Sequence, residues 1–191
     1  MDSDSAMSSQ DARVAFLGML NVDKETAYRG GIIVTDGLGK PVEFRCTAPV
    51  RPNHIQRTLY GETLLPHIAV ELIGLPLLTS IKEKPSLVII QDAGFLDVRL
   101  QWETPLVRLW RQGEQVRLQT TGEQEQANSV LSCATGKFQP IVLEAHWQFR
   151  ADSQSCTVQL SEMFGTWDLI EPFERLKRAL EYVHEQKLME K

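Results

Sequence analysis

The feature that most constrains the fold is the hexapeptide Asp36-Gly37-Leu38-Gly39-Lys40-Pro41, which lies between two short stretches of strand-forming residues. Aspartate and glycine tolerate positive φ angles and proline fixes φ, so the segment is typical of a hairpin turn. The residues before it, 32–34, are β-branched, and apolar residues alternate with polar ones at 42–46 after it. The pattern predicts an antiparallel hairpin with one buried face.

A helical segment follows the hairpin. Prolines at 49 and 52 keep the connection extended, and Asn53 is a favourable N-cap for a helix that begins at His54. Because Gly61 and Pro66 disfavour one continuous helix, we expect a short helix to end at Gly61 and a second to run over residues 62–73. Residues 31–74 therefore form a predicted ββα unit.

The remaining elements are predicted from their apolar patterns. Residues 13–22 are a short apolar run that we interpret as a strand, and residues 86–91 contain four consecutive apolar residues typical of a buried central strand. Alternation at 141–149 and again at 156–160 predicts a C-terminal β-hairpin, residues 141–160, with Trp147 in the core. An apolar stripe with helical spacing predicts a C-terminal helix over residues 168–187.

Two regions give weaker patterns. Residues 1–12 are rich in Ser, Asp and Gln and are interpreted as a disordered tail. Residues 97–136 form a less ordered insertion in which 106–111 and 116–118 could make a hairpin. We therefore predict one α+β domain, residues 13–191, with a mainly antiparallel sheet covered mainly on one face.

The predicted ββαβββα order is similar to that of longin, roadblock and profilin-like domains. The resemblance is one of predicted topology and covers most of residues 13–191. It implies a module that binds protein partners or dimerises.

Composition narrows the classes of function. The 191-residue chain has a formal net charge of −5 and a pI near 5.4, which argues against a general electrostatic hold on nucleic acid. No unbroken apolar run is long enough to span a bilayer, so no membrane partner is expected. Three cysteines without Cys-x-x-Cys spacing suit reduced thiols, and the predicted location is cytoplasmic.

No motif for catalysis or for a cofactor is present. The sequence contains no Gly-x-Ser-x-Gly elbow and no glycine-rich phosphate loop, so no catalytic residue and no cofactor are predicted. His67 and Glu71 share a helical face, with Glu62 upstream, but the other histidines lack ligand spacing, so an exposed ion pair is favoured over a metal site. Asp92 follows the central strand, where a turn role is favoured over an acid role.

One cluster is a candidate binding surface. Arg45, Arg51 and Arg57 lie near Gln56 and Tyr60 in the sequence, and a phosphate or carboxylate could bind beside the helix N-terminus. The alternative is that these arginines pair with Glu43, Glu62 and Glu71. The full set of candidate binding residues is Arg45, Arg51, Arg57, Tyr60, His67 and Glu71; Trp102 and Trp110 are candidate interface anchors.

The sequence favours a non-enzymatic protein–protein interaction or regulatory module, an adaptor that forms a homodimer or is a small subunit of a larger assembly. Nucleic acid is an unfavoured partner under this interpretation. One alternative is a ligand-binding domain or hydrolase with a site near Arg45, Arg57, His67 and Glu71. A second alternative is nucleic-acid binding through the arginine cluster.

Overall fold

The computed structural model describes residues 12–24, 26–114 and 128–189. They form a seven-stranded sheet in the order β3-β2-β1-β4-β5-β7-β6. The strands are β1 (Val14–Val22), β2 (Ala27–Thr35), β3 (Pro41–Cys46), β4 (Leu87–Ile90), β5 (Leu106–Arg111), β6 (Asn128–Leu131) and β7 (Ile141–Ala145). The predicted α+β class is confirmed, as are the hairpin, the first strand and the central strand.

The sheet is mixed. β4 is parallel to both β1 and β5, and the other four pairings are antiparallel. Leu17 of β1 lies opposite Ile90, the last residue of β4. β4 is buried along its whole length, as expected of a parallel strand in the middle of a sheet.

The ββα unit continues into one long helical run, α1 (His54–Ser80). Its N-terminus is a capping box in which the Asn53 and Gln56 side chains each accept a backbone N–H of the other residue at 2.8 Å. The run is interrupted at Gly61, whose φ of 50° and ψ of −126° are not helical, so the predicted end of a first helix at Gly61 is confirmed. The predicted end of the second helix at residue 73 is wrong, because the chain continues through a π-helical stretch, Ile68–Gly74, to Ser80.

α1 is the one helix in the described part of the chain that is long and apolar enough to cross a membrane, with a mean hydropathy of 1.4. The core helix of a globular domain meets the same criteria. In α1, 39% of the most apolar window is buried, and Ile68, Ile73 and Leu78 pack against the sheet.

Both faces of the sheet are covered, so the prediction of cover mainly on one face is wrong. On one face, α1 and a 3₁₀ segment, Ala93–Leu100, pack on Leu17, Ile32 and Ile90. On the other face, α2 (Ala151–Thr166) and α3 (Glu171–Met189) pack on Phe16, Ile33 and Ile89. Successive residues of a strand point to opposite faces, so the central strands supply both cores. The predicted C-terminal helix is confirmed as α3.

The second strand of the predicted C-terminal hairpin is wrong, because residues 151–166 form helix α2. Cys156, Leu160 and Phe164 recur at intervals of four and are all buried, which is a helical stripe. Val158, whose spacing suggested strand alternation, is 70% exposed. Trp147 also differs from the prediction, since β7 ends at Ala145 and Trp147 lies half-exposed in a 3₁₀ turn.

The region predicted to be an insertion contains regular structure at its start. The 3₁₀ segment and β5 occupy residues 93–100 and 106–111, and β5 is almost entirely buried. The second half of the predicted 106–118 hairpin, and residues 1–11 of the predicted tail, lie outside the described residues.

Candidate nucleic-acid interface

A cleft opens at the point where the chain connections diverge. From β1 the chain turns to β2 on one side of the sheet, and from β4 it continues to β5 on the other side. Ligands of open α/β sheets bind at such points, outside the carboxyl ends of the strands. Here the cleft has a volume of about 140 Å³ and lies between β1, the residues after β4, and helix α3.

The walls of the cleft are mainly apolar, and its polar groups come from two elements. Gln91 and Asp92 follow β4, and Glu174 and Lys177 project from α3. Asp92 accepts the backbone N–H of Gly94 at 2.8 Å and thereby caps the 3₁₀ segment. The predicted turn role of Asp92 is therefore confirmed, and the turn places its side chain in the cleft.

A buried ion pair between β5 and β7 holds the end of β4 in place. Arg108 of β5 donates from Nε to the carbonyl oxygen of Gln91 at 2.8 Å and from Nη1 to Glu144 of β7 at 2.9 Å. Its guanidinium also lies 5.0 Å from the centre of a Trp110 ring. Arg108 and Glu144 are both buried. Their contacts join β4, β5 and β7 beside the cleft.

Two of the predicted arginines lie at the same edge of the sheet as the cleft. Arg51 pairs with Asp23 at 2.6 Å, and Arg57 donates to the carbonyl oxygen of Thr26 at 2.9 Å, both in the turn after β1. Asp23 is three residues beyond Leu20 of the cleft, roughly 10 Å along an extended chain. The Arg51 guanidinium, with the ring of His184 beside it, holds the pKa of Asp23 below its usual range.

Tyr60 and His67 form an aromatic stack on the same helix as Arg57. Their ring centroids are 4.8 Å apart with an angle of 28° between the planes. Tyr60 is exposed and His67 is partly exposed. We call Arg51, Arg57, Tyr60 and His67 the arginine–aromatic surface.

Arg45 and Glu71 contact residues outside this surface. Arg45 lies in β3 and pairs with Glu43 at 2.8 Å. The backbone N–H of Glu83, followed by Arg45, lowers the pKa of Glu43. Glu71 accepts a hydrogen bond from Gln101 at 2.9 Å. The predicted pairing of Arg45 with Glu43 is thus present, and a binding role for Arg45 and Glu71 stays a prediction.

The two candidate interface tryptophans are packed within the domain. Trp110 is 8% exposed on β5, and Trp102 packs against the core on the α1 face. An interface role for Trp102 and Trp110 also stays a prediction.

Comparison with solved structures identifies the fold. The chain superposes on Endonuclease V from Streptomyces avermitilis with a TM-score of 0.64 and 12% identity, covering 94% of this chain and 84% of that chain. This chain has the Endonuclease V fold. The catalytic domain of human Endonuclease V gives a TM-score of 0.52 at 13% identity, covering 94% of this chain and 85% of that one.

A third Endonuclease V, from Ciona intestinalis, gives a TM-score of 0.50 at 11% identity, with 93% and 87% of the two chains covered. That structure is a complex with a 24mer DNA containing an inosine followed by a ribo-adenosine. No protein-family model matches the sequence, and no curated protein matches it significantly.

These similarities correct three predictions. The similarity to longin, roadblock and profilin-like domains is not confirmed, because the structural neighbours have the Endonuclease V fold. The prediction of a non-enzymatic interaction module or adaptor is wrong, since those neighbours are nucleases. The expectation that nucleic acid is an unfavoured partner is also wrong, because one of these neighbours was solved in complex with DNA.

Most of the residues that line the cleft were not among the predicted site residues. Gly18 and Met19 lie within the predicted strand 13–22, and Glu174 and Lys177 lie within the predicted helix 168–187. A usable signal was present, because residues 14–17 and 87–90 are both uninterrupted apolar runs of the kind that form parallel neighbours.

The Endonuclease V fold raises the question of a metal, because nucleases commonly use divalent ions held by carboxylates. The cleft side chains do not fit such an ion. Within residues 12–24, 26–114 and 128–189, no group of three or more His, Cys, Asp or Glu residues is placed to hold a metal. The β1 side of the cleft consists of Gly18, Met19 and Leu20, which supply no ligand side chain.

Proposed function

We propose that this chain binds nucleic acid, and that the arginine–aromatic surface beside the cleft is the contact area. The observation that carries the proposal is the Endonuclease V fold, which this chain shares over 93% of its length with a neighbour solved in complex with DNA. The proposal corresponds to the second alternative of the sequence analysis, binding through the arginine cluster.

The charge distribution supports a local contact. The formal net charge of −5 opposes a general attraction to phosphates, so affinity has to come from a defined cationic surface. Arg51 has about half of its side-chain surface exposed, and Asp23 is its carboxylate partner within the described part of the chain. Arg57 hydrogen-bonds to a backbone carbonyl, which carries no charge to oppose a phosphate. Both guanidinium groups can therefore face phosphates.

The stacked rings support a preference for single-stranded nucleic acid. Proteins that bind single strands combine cationic side chains with exposed aromatic rings on which bases stack. Tyr60 lies three residues after Arg57 on α1, and its ring is already oriented by His67. A base that stacks on Tyr60 would keep its phosphates near the two arginines.

Fluorescence anisotropy with labelled single-stranded 20mers of DNA and RNA tests the proposal. In the double variant Arg51→Ala, Arg57→Ala, we expect affinity at low salt to fall about tenfold or more. The slope of log K against log[salt] should fall by about 1.4, because each lost phosphate contact to a single strand contributes about 0.7. Tyr60→Leu should weaken binding by about 5-fold to 100-fold if one base stacks there.

Matched controls are available on the same chain. Arg45 lies on β3, outside the arginine–aromatic surface, and matches Arg51 in exposure and in having a carboxylate partner, so Arg45→Ala should leave affinity within about twofold. Tyr182 is an exposed tyrosine on α3, and Tyr182→Leu controls for the loss of an exposed ring. No binding by the wild type at low salt, or equal loss in the controls, would refute the proposal.

A further inference from the structure

We infer that the cleft between β1, β4 and α3 does not assemble a divalent-metal centre, so that this chain holds nucleic acid without metal-dependent cleavage. The claim that the chain holds nucleic acid rests on the proposed function. The claim that the cleft does not bind a metal, which we call the metal half of the inference, rests only on the side chains in the cleft.

The donor count is the first observation. Hard cations such as Mg²⁺ and Mn²⁺ take oxygen ligands, and nuclease centres that clamp both the attacking and leaving oxygens need several carboxylates. Among the described residues, the two carboxylates that line the cleft are Asp92, from the loop after β4, and Glu174, from α3. β1, the strand at the centre of the cleft, contributes a glycine, a methionine and a leucine.

The second observation is that Asp92 already accepts a hydrogen bond and that Glu174 lies near a lysine. Asp92 uses Oδ1 to accept the Gly94 N–H, which fixes that oxygen in the turn at the start of the 3₁₀ segment. Lys177 lies three residues after Glu174 on the same helix and also lines the cleft. An ammonium beside a cation site opposes the binding of a divalent ion by like-charge repulsion.

The third observation concerns packing. The α3 wall of the cleft also contains Phe173, Leu176 and Leu180, whose side chains belong to a hydrophobic core. A Cβ on Gly18 would lie 3.3 Å from Leu176, so α3 packs closely on β1 here. These apolar side chains supply no oxygen ligands for Mg²⁺.

The consequence for nucleic acid follows from charge. Without a metal ion, Asp92 and Glu174 repel a phosphodiester rather than hold it. The phosphates are then bound at the arginine–aromatic surface, whose Arg51 pairs with Asp23, a residue roughly 10 Å along an extended chain from Leu20 of the cleft. Nucleic acid is therefore bound without a metal ion, and its affinity should not depend on divalent ions.

The test combines three measurements on the full chain. Electron paramagnetic resonance of Mn²⁺ titrated into the free protein reports metal binding without any nucleic acid. Anisotropy with a labelled single-stranded 20mer is measured in EDTA and in Mg²⁺. Denaturing gels report whether the same strand is cut in Mg²⁺ or Mn²⁺.

We expect no stoichiometric Mn²⁺ site, affinities within about twofold in EDTA and Mg²⁺, and an intact strand. Asp92→Asn is the diagnostic variant, because asparagine can still cap the 3₁₀ segment while its side chain loses the negative charge. A Mn²⁺ site, or metal-dependent cleavage, that is present in the wild type and lost in Asp92→Asn would overturn the inference.

Failure of the proposed function gives a different result. In that case the strand does not bind in EDTA or in Mg²⁺, which overturns the claim that the chain holds nucleic acid. The Mn²⁺ titration still decides the metal half, because it uses the free protein.

Discussion

At the scale of single residues, Arg29 of β2 is a buried cation with two unpaired donors. It is 1% exposed, and its Nε and Nη1 atoms have no hydrogen-bond partner among the residues that the structure describes. Its neighbour across the strands is Leu20, so β1 supplies no counter-charge at that position. A buried cation without such partners costs stability, because desolvation is not offset.

Replacing this arginine by an apolar side chain should therefore stabilise the domain. We expect Arg29→Met to raise the free energy of unfolding by about 1–3 kcal/mol, measured by urea denaturation. Arg178→Met on the exposed face of α3 is the control and should change it by less than about 0.5 kcal/mol. A large loss of stability in Arg29→Met would contradict this assignment.

The thiol of Cys133 should titrate near neutral pH. The Thr135 hydroxyl, together with backbone N–H groups of the following loop, lowers the pKa of Cys133 to about 7. Burial raises the pKa of Cys156 to about 11. Thiolate absorbance at 240 nm between pH 5 and 9 should show a transition near pH 7 that Cys133→Ser removes and Cys156→Ser retains.

The same pKa makes stability depend on pH in a defined direction. The folded pKa of Cys133 lies below its ordinary value of 9.0, so the unfolded state binds the proton more tightly. The stabilisation is present above about pH 9 and is lost as the pH falls through about 7. As the pH rises from about 7 to about 9, the free energy of unfolding of the wild type should increase relative to that of Cys133→Ser. A relative decrease would contradict the assignment.

At the scale of elements, the Arg108–Glu144 pair joins three strands behind the cleft. Removing one partner leaves the other charge buried and unpaired, which is more costly than the loss of an exposed pair. Glu144→Gln should lower the free energy of unfolding by about 3–5 kcal/mol in urea denaturation. Glu171→Gln, which breaks an exposed pair with Arg175 on α3, should cost less than about 1 kcal/mol.

If Glu144→Gln costs no more than Glu171→Gln, the buried pair does not hold the strands together. Nucleic-acid affinity separates this structural role from a binding role. Glu144 is buried behind β4 and is not part of the arginine–aromatic surface, so folded Glu144→Gln should bind a single strand as the wild type does.

At the scale of the whole molecule, the two hydrophobic cores share the same strands. Phe16 and Leu17 are neighbours on β1, yet one packs under α3 and the other under α1. Loss of β1 or β4 would therefore expose both cores together. We expect one cooperative unfolding transition, in keeping with the predicted single domain.

Two spectroscopic probes can test for a single unfolding transition. Far-UV circular dichroism reports the helices on both faces, while tryptophan fluorescence reports Trp102 beside one core and Trp167 beside the other. Their denaturation curves should coincide. Two separated transitions would show that the cores unfold independently.

Local chemistry determined the parts of this protein that the sequence predicted correctly. The turn at 36–41, the Asn53 N-cap, the apolar run at 87–90 and the stripe of α3 each depend on residues close together in the chain. Steric limits on φ, side-chain capping and a fixed period act over a few residues, so one sequence suffices to reveal them.

Tertiary structure decided the rest, because it depends on contacts between distant segments. Only pairing of β1 with β4 places Asp92 beside Gly18 and opens the cleft, and only packing on the sheet makes residues 151–166 helical rather than extended. The same packing brings Arg51 and Arg57 to the turn after β1 while Arg45 remains with Glu43. The sequence by itself named candidate binding residues; the strand order determined which of them lie together.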